Sequence, residues 1–294
     1  MRLGVVLNEA AGGGRCGRAA GAVLDRLAAS HDLDVRRTEG PGHGEVLATS
    51  LAAAGVEAVV SVGGDGTLFE VVNGLMAHDG ARPALALLPL GTGNSFGRDF
   101  GLLDAASAEA ALAAGAPRRV DVVRVVHAEG VVHYINLLSV GFAAEVGDLT
   151  NRRFKALGAL GYIASVLVCV TRLTPRPYPF AAGDGGMERD AITLLSCSNS
   201  RYTGGEMMMA PTADATDGLV DVVQIGAMGR RRLLACFPKL FRGTHPEMPE
   251  VEVHKVSNVR FEEAPALPVM LDGEMRSLSL RSLEVLPGAL ELIA

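Results

Sequence analysis

Ser61-Val62-Gly63-Gly64-Asp65-Gly66-Thr67 follows the apolar run Ala58-Val59-Val60 and precedes Leu68–Met76, where apolar residues recur at helical spacing. The pattern is strand, tight glycine turn, helix. Such a turn presents backbone N–H groups at a helix N-terminus, where the dipole favours a phosphate. A bare carboxylate would repel that phosphate, so Asp65 makes sense if a Mg²⁺ or a reacting hydroxyl stands between them. The plainer reading is a strand–helix turn capped by Asp65 and Thr67. One strand later, Ala84–Leu88 runs into Pro89-Leu90-Gly91-Thr92-Gly93-Asn94. Gly91 and Gly93 let backbone approach a ligand, and Thr92 and Asn94 offer hydrogen bonds. Two such turns at successive strand ends of one sheet converge on one crevice.

Other candidates are weaker. Gly12-Gly13-Gly14-Arg15-Cys16-Gly17 satisfies G-x-G-x-x-G, with Glu39 near the distance of a ribose-binding acid. However, Asn8-Glu9-Ala10-Ala11 separates the first strand from the glycines and spoils the dinucleotide geometry. No G-x-x-x-x-G-K-[ST] exists, which excludes a P-loop enzyme, and the seven histidines show no metal spacing. In Asp214-Ala215-Thr216-Asp217-Gly218-Leu219 a carboxylate beside a glycine and free carbonyls can form either a hard-cation site or a hairpin turn.

The two glycine motifs, GGDGT at Gly63–Thr67 and P-x-GTGN at Pro89–Asn94, resemble the nucleotide-binding signatures of the soluble diacylglycerol kinase-like lipid kinases. Asn136-Leu137-Leu138-Ser139-Val140-Gly141-Phe142 is similar to that family's N-x-x-S-x-G-F, and Lys155-Ala156-Leu157-Gly158 with Gly161-Tyr162 to its K-x-x-G…GY. Ala210-Pro211 through Asp217-Gly218-Leu219, and Asp272-Gly273-Glu274, resemble two further segments. The matches run in order from Asn8 to Glu274, over nearly the whole chain.

The resemblance implies an ATP site at Asn8, Thr38, Gly63, Gly64, Asp65, Gly66, Thr67, Gly91, Thr92, Gly93 and Asn94, with Asp65 placing Mg²⁺ on the phosphates. It implies a structural Mg²⁺ ligated by Asp217, with carbonyls of Asp214 and Leu219. It points to Glu274 as the base for the acceptor hydroxyl, with Asp65 as the competitor. The acceptor it implies is a lipid alcohol, diacylglycerol by default, its tail expected among Phe142, Tyr162 and the apolar helix Leu157–Val170. Two residues depart from the pattern: Glu9 stands where proline is usual, and Ser95 where many relatives carry Asp. A soluble-acceptor kinase of NAD kinase type, and a catalytically weak lipid-binding regulator, are the alternatives.

Composition narrows the field. With 49% hydrophobic and 20% charged residues over 294, the chain is globular and long enough for one large or two ordinary domains. A net charge of −6 disfavours nucleic acid, yet leaves room for transient docking of a local basic patch on a membrane. Arg230-Arg231-Arg232 with Lys239 and Arg242 is such a patch, or a helix with a solvated basic start. Cys16, Cys169, Cys197 and Cys236 lack metal spacing, and a reducing cytoplasm fits them best. Met1–Asn8 is too short for a signal peptide, and Lys155–Arg172 falls short of the ~20 residues a spanning helix needs. The expectation is a cytoplasmic protein, peripheral at the inner membrane face; a homodimer stays open.

Up to residue 120, strand patterns (Leu3–Leu7, Leu33–Arg37, Ala58–Val62, Ala84–Leu88) alternate with helix patterns (Arg18–Ala29, Glu45–Ala54, Thr67–Met76, Ala105–Ala114). That alternation predicts a doubly wound α/β nucleotide-binding domain with a parallel sheet. From 121 to 287, consecutive strands with few helices predict a mainly antiparallel β domain that holds the lipid, with Val131–Ser139 as one strand and Pro175–Asp184 as an exposed loop. The joint is expected near Pro117–Val120, and 288–294 is expected to return to the first domain.

Overall fold

The computed structural model of the chain describes residues 1–154 and 158–294; of 151, 154 and 158–163 only the backbone is described. Two compact units result: 1–122 with 133–135 and 286–294, and 123–132 with 136–285.

The first unit opens with β1 (Arg2–Leu7), α1 (Ala11–Ala28), β2 (Asp32–Arg37), α2 (His43–Ala53), β3 (Ala58–Gly63), α3 (Asp65–Met76) and β4 (Ala84–Pro89). After α4 (Ala105–Ala114), β5 (Pro117–His127) leads out of it. The strands lie in the order β2-β1-β3-β4, all parallel. Val5, Val60 and Ala86 stand level across the three inner strands. β1 and β3 bury both faces, hence their unbroken Val- and Leu-rich runs, whereas edge strand β2 carries charge and stays half-buried. Leu292–Ile293, the end of the last strand, pairs in parallel with Leu85–Ala86. α1 begins earlier than its apolar pattern indicates, because Gly12, Gly13 and Gly14 adopt positive φ (62°, 67° and 80°) in a turn ahead of the regular helix. α4 is fixed by its own caps: the Asp104 side chain accepts from Ser107 N at 2.9 Å, and left-handed Gly115 ends the helix.

The second unit contains β6 (Gly130–Tyr134) in part, β7 (Leu137–Gly141), α5 (Phe142–Leu149), α6 (Gly158–Thr171), β8 (Arg176–Pro177), β9 (Phe180–Ala182) and β10 (Ala191–Ser198). It continues through β11 (Tyr202–Thr203), β12 (Met207–Met208), β13 (Val220–Gly226), α7 (Arg230–Arg242), β14 (Val251–Val256), β15 (Asn258–Phe261), β16 (Leu267–Leu271), β17 (Glu274–Leu278) and the start of β18 (Leu280–Ile293). Its main sheet runs β14-β13-β10-β7-β16-β17 with antiparallel neighbours throughout. Its core gathers Leu137, Val166, Val170, Leu194, Val223 and Leu240.

Three expectations change here. The single strand over 131–139 is two strands, interrupted at Ile135-Asn136. There the N–H groups of Asn136 and Leu137 both donate to the Asp272 carboxylate at 2.9 Å, leaving the ladder for a side chain. The span 175–184 is not an exposed loop: it forms β8 and β9, and Phe180 is 1% exposed because β9 pairs with β15. Phe142 is a core residue, packed with Val166 and Val170, and so does not line an open tail site. Lys155, Ala156 and Leu157 lie outside the described residues, as does the side chain of Tyr162. No described helix is long and apolar enough to cross a membrane.

Candidate functional site

In the first unit both glycine turns lie at the C-terminal ends of neighbouring strands β3 and β4, and they touch. Gly91 N donates to Gly63 O at 2.7 Å, and a Cβ added to Gly91 would stand 2.8 Å from Gly64 N. Only glycine allows this approach. A Cβ on Gly93 would likewise collide with the Asp65 carboxylate. Asn94 closes the second loop in the left-handed region (φ 50°), its Nδ2 donating to Pro89 O and Gly91 O at 3.2 Å each. Its Oδ1 is buried and has no hydrogen-bond partner among the described residues. Gly64, Asp65, Leu88, Pro89 and Asn94 are among the residues that line a partly open cavity, in which Asp65 is the only acid among the described residues.

Asp65 opens α3 and reaches across to the second loop. Its Oδ1 accepts Ser95 N at 2.7 Å and its Oδ2 lies 3.5 Å from Ser95 Oγ. Burial pushes the carboxyl above the usual carboxylate range, while the N–H groups of Ser95, Phe96 and Asn94 pull the other way. Asp65 is therefore a latch between the two loops as well as the acid of the cavity. A carboxylate beside backbone N–H groups is the type of ligand that a hard cation paired with phosphate oxygens takes.

The remaining ATP-site expectations cluster in the same unit. Asn8 Nδ2 donates to Thr67 Oγ1 at 3.1 Å, tying the end of β1 to the first turn of α3. Arg15 Nη2 donates to Thr92 Oγ1 at 2.9 Å, linking the early glycine run to the second loop. Thr38 follows β2, its N–H bonded to Leu7 O at 2.9 Å. Glu9, the departure from the family pattern, pairs with Arg37 at 3.0 Å on the surface. The four cysteines are free and buried; burial pushes Cys16 up to about 11 and Cys197 up to about 12, so neither supplies a thiolate at neutral pH.

In the second unit, Asp272-Gly273 is the two-residue turn of the β16–β17 hairpin, with φ of 49° and 90°. Positive φ at both positions is what Asp-Gly supplies in a hairpin of this hand. Asp272 is 3% exposed and is held by Asn136 N and Leu137 N, while its own N–H donates to Leu137 O at 2.9 Å. The turn, anchored by buried Asp272, fixes the backbone from which Glu274, itself exposed, projects. Nearby, Ser139 Oγ bonds Ser196 Oγ at 3.2 Å, Ser196 bonds Ser198 at 3.0 Å, and Ser200 Oγ donates to Asn136 Oδ1. Sequence reasoning named Asp272 only as part of its turn, without its buried role, and missed the serines of β10. The available signal was Ser196-Cys197-Ser198-Asn199-Ser200, a small polar run ending an apolar strand.

The expected structural-metal loop already holds a cation. Asp217 Oδ1 accepts Leu219 N at 3.0 Å, and its Oδ2 accepts Lys255 Nζ at 2.8 Å. Lys255 also lies 3.4 Å from Asp221, whose side chain is 1% exposed and which sits opposite it on β13 and β14. Asp214 turns its carboxylate to Thr216 N at 3.0 Å. A divalent ion on Asp217 would stand against the ammonium, so the arrangement does not fit one without displacing Lys255. Melting of the apo protein is accordingly expected to be the same in EDTA and in millimolar Mg²⁺. Lys255→Met should lower stability by about 1–3 kcal/mol, less than for a fully buried pair because Lys255 is 36% exposed. A saturable rise of wild-type Tm with Mg²⁺ would restore the metal.

Comparison with known proteins places the geometry. Residues 2–125 match the diacylglycerol kinase catalytic domain, and residues 136–294 match the YegS C-terminal NAD kinase beta sandwich-like domain. A diacylglycerol kinase of Mycobacterium tuberculosis is 32% identical over 84% of this chain and 80% of its own length. A protein named "Probable lipid kinase YegS-like" from Chromohalobacter salexigens is 34% identical over 90% of this chain and 85% of its own. The crystal structure of a diacylglycerol kinase from Bacillus anthracis superposes with a TM-score of 0.75 at 23% identity, over 99% of this chain and 96% of that one. Yeast NADH kinase complexed with NADH shares the fold at a TM-score of 0.51 and 11% identity, over 99% of this chain and 78% of that one.

Proposed function

Since this chain belongs to the diacylglycerol kinase-like family of lipid kinases, we propose that it transfers the γ-phosphate of ATP, with Mg²⁺, to the hydroxyl of a lipid alcohol, diacylglycerol first among them. The observation that carries this reading is the pair of touching glycine loops with Asp65 as the one acid in their cavity. Phosphoryl transfer asks mainly for positioning and charge neutralisation. The N–H groups at the start of α3 and the close backbone at Gly91 and Gly93 supply positioning for a polyphosphate. Mg²⁺, when bound, neutralises charge on the phosphates, and Asp65 is the residue that would hold it, directly or through water. Glu274 accepts the proton of the acceptor hydroxyl as the new oxygen–phosphorus bond forms and the bond to the leaving ADP breaks. The buried Asp272 positions it by fixing the turn. The acceptor resides in a bilayer, so the protein works at a membrane surface on the cytoplasmic side, where ATP is available.

The reading is tested by incubating the protein with γ-labelled ATP and, separately, a total lipid extract and a soluble metabolite pool. Label is expected in the organic phase alone. Label confined to NAD or a sugar would transfer the protein to the soluble-acceptor kinases that share its fold.

A further inference from the structure

α7, Arg230–Arg242, carries five basic residues and no acidic one. Leu233, Cys236 and Leu240 face the core of the second unit, and Phe237 packs edge-on against Phe142, ring centroids 6.3 Å apart. Those residues account for one side of the helix. At 3.6 residues per turn, Leu234, Pro238 and Phe241 form a stripe roughly a third of a turn round from it, with Arg230 along one edge and Arg231 and Arg242 along the other. The stripe is open: Leu234 is 42% exposed and Phe241 53%. Leu167 on the neighbouring helix α6 is 54% exposed, so three of the seven large apolar side chains exposed among the described residues lie on these two helices. Arg232 is turned aside by Glu250, at 2.7 and 3.1 Å. Arg230, Arg231 and Arg242 form no ion pair with a described residue.

We propose that this face of α7 docks the protein on an anionic lipid bilayer, with Leu234 and Phe241 entering the headgroup–acyl boundary and Arg230, Arg231 and Arg242 meeting lipid phosphates. The proposal rests on the lipid-kinase reading for its choice of partner and on charge for its orientation. The chain as a whole carries −6, so an anionic surface repels the bulk of the molecule and attracts this helix, which has no acid of its own. An apolar stripe between rows of arginine is the form taken by helices that lie in the interface plane. A protein partner with an acidic rim, or a second copy of this chain, would use the same stripe without needing lipid.

The test is co-sedimentation of the full chain with phosphatidylcholine vesicles, with or without phosphatidylglycerol, in the absence of ATP. Binding is expected only with phosphatidylglycerol, and high salt should weaken it. Leu234→Ser with Phe241→Ser, and separately Arg231→Gln with Arg242→Gln, should each reduce it about tenfold or more while leaving melting temperature and turnover in detergent micelles unchanged. Equal sedimentation of wild type and both variants, or none by wild type, overturns the proposal. So does a concentration-dependent dimer that the variants abolish. Binding to vesicles without lipid phosphorylation would sink the kinase reading and leave the docking face standing. Turnover in micelles without vesicle binding would do the reverse.

Discussion

Asp65→Asn should cut turnover by about 10²–10³, weaken Mg·ATP binding and lower thermal stability together. The charge it removes is the only acidic one in the cavity between the glycine loops. The stability loss has its own cause. Asp65 accepts from Ser95 N at 2.7 Å, with Ser95 Oγ and the N–H groups of Phe96 and Asn94 nearby. An amide keeps one oxygen acceptor but turns an NH₂ group towards donors, leaving a buried pair unsatisfied at about 1–3 kcal/mol. The second loop, whose Gly93 has no room for even a Cβ beside this carboxylate, should loosen. Calorimetry of Mg·ATP binding, a turnover rate and a melting curve check the three effects. Wild-type values in the first two would remove Asp65 from the reaction and leave it the latch alone.

Glu274→Gln should do something different. The side chain is exposed, and the turn beneath it is held by Asp272, so fold and melting temperature should be unchanged. Gln nearly preserves size and hydrogen bonding but accepts no proton at neutral pH. A fall in kcat of about 10²–10⁴ with unaltered nucleotide affinity is expected. Near-normal kcat would pass the base role to Asp65.

What the sequence disclosed and what it hid divide along one physical line. Strand, glycine turn and helix at Ala58–Met76 are encoded within nineteen consecutive residues of periodicity and turn chemistry, and so they read directly. The parallel arrangement in the first unit and the antiparallel sheet in the second follow from the spacing of apolar runs. The contacts that organise the candidate site join distant positions instead. Asp65 meets Ser95 at a separation of 30 residues, Lys255 meets Asp217 at 38, and Asp272 meets Asn136 at 136. None of these leaves a local pattern. Asp217-Gly218 and Asp272-Gly273 are alike as dipeptides, yet one carboxylate pairs with a lysine and the other buries itself on backbone N–H groups. Likewise the break at Ile135-Asn136 is set by a side chain from another hairpin, which no propensity in Val131–Ser139 reveals.

Transfer itself is the most direct test. The purified protein would be given Mg·ATP and diacylglycerol in detergent micelles, with ADP release followed enzymatically and the lipid fraction analysed by mass spectrometry. The account predicts diacylglycerol converted to its monophosphate in equal number to the ADP formed, with both signals nearly abolished in Glu274→Gln. ADP released without phosphorylated lipid, or phosphate recovered on a soluble acceptor added in competition, would contradict it.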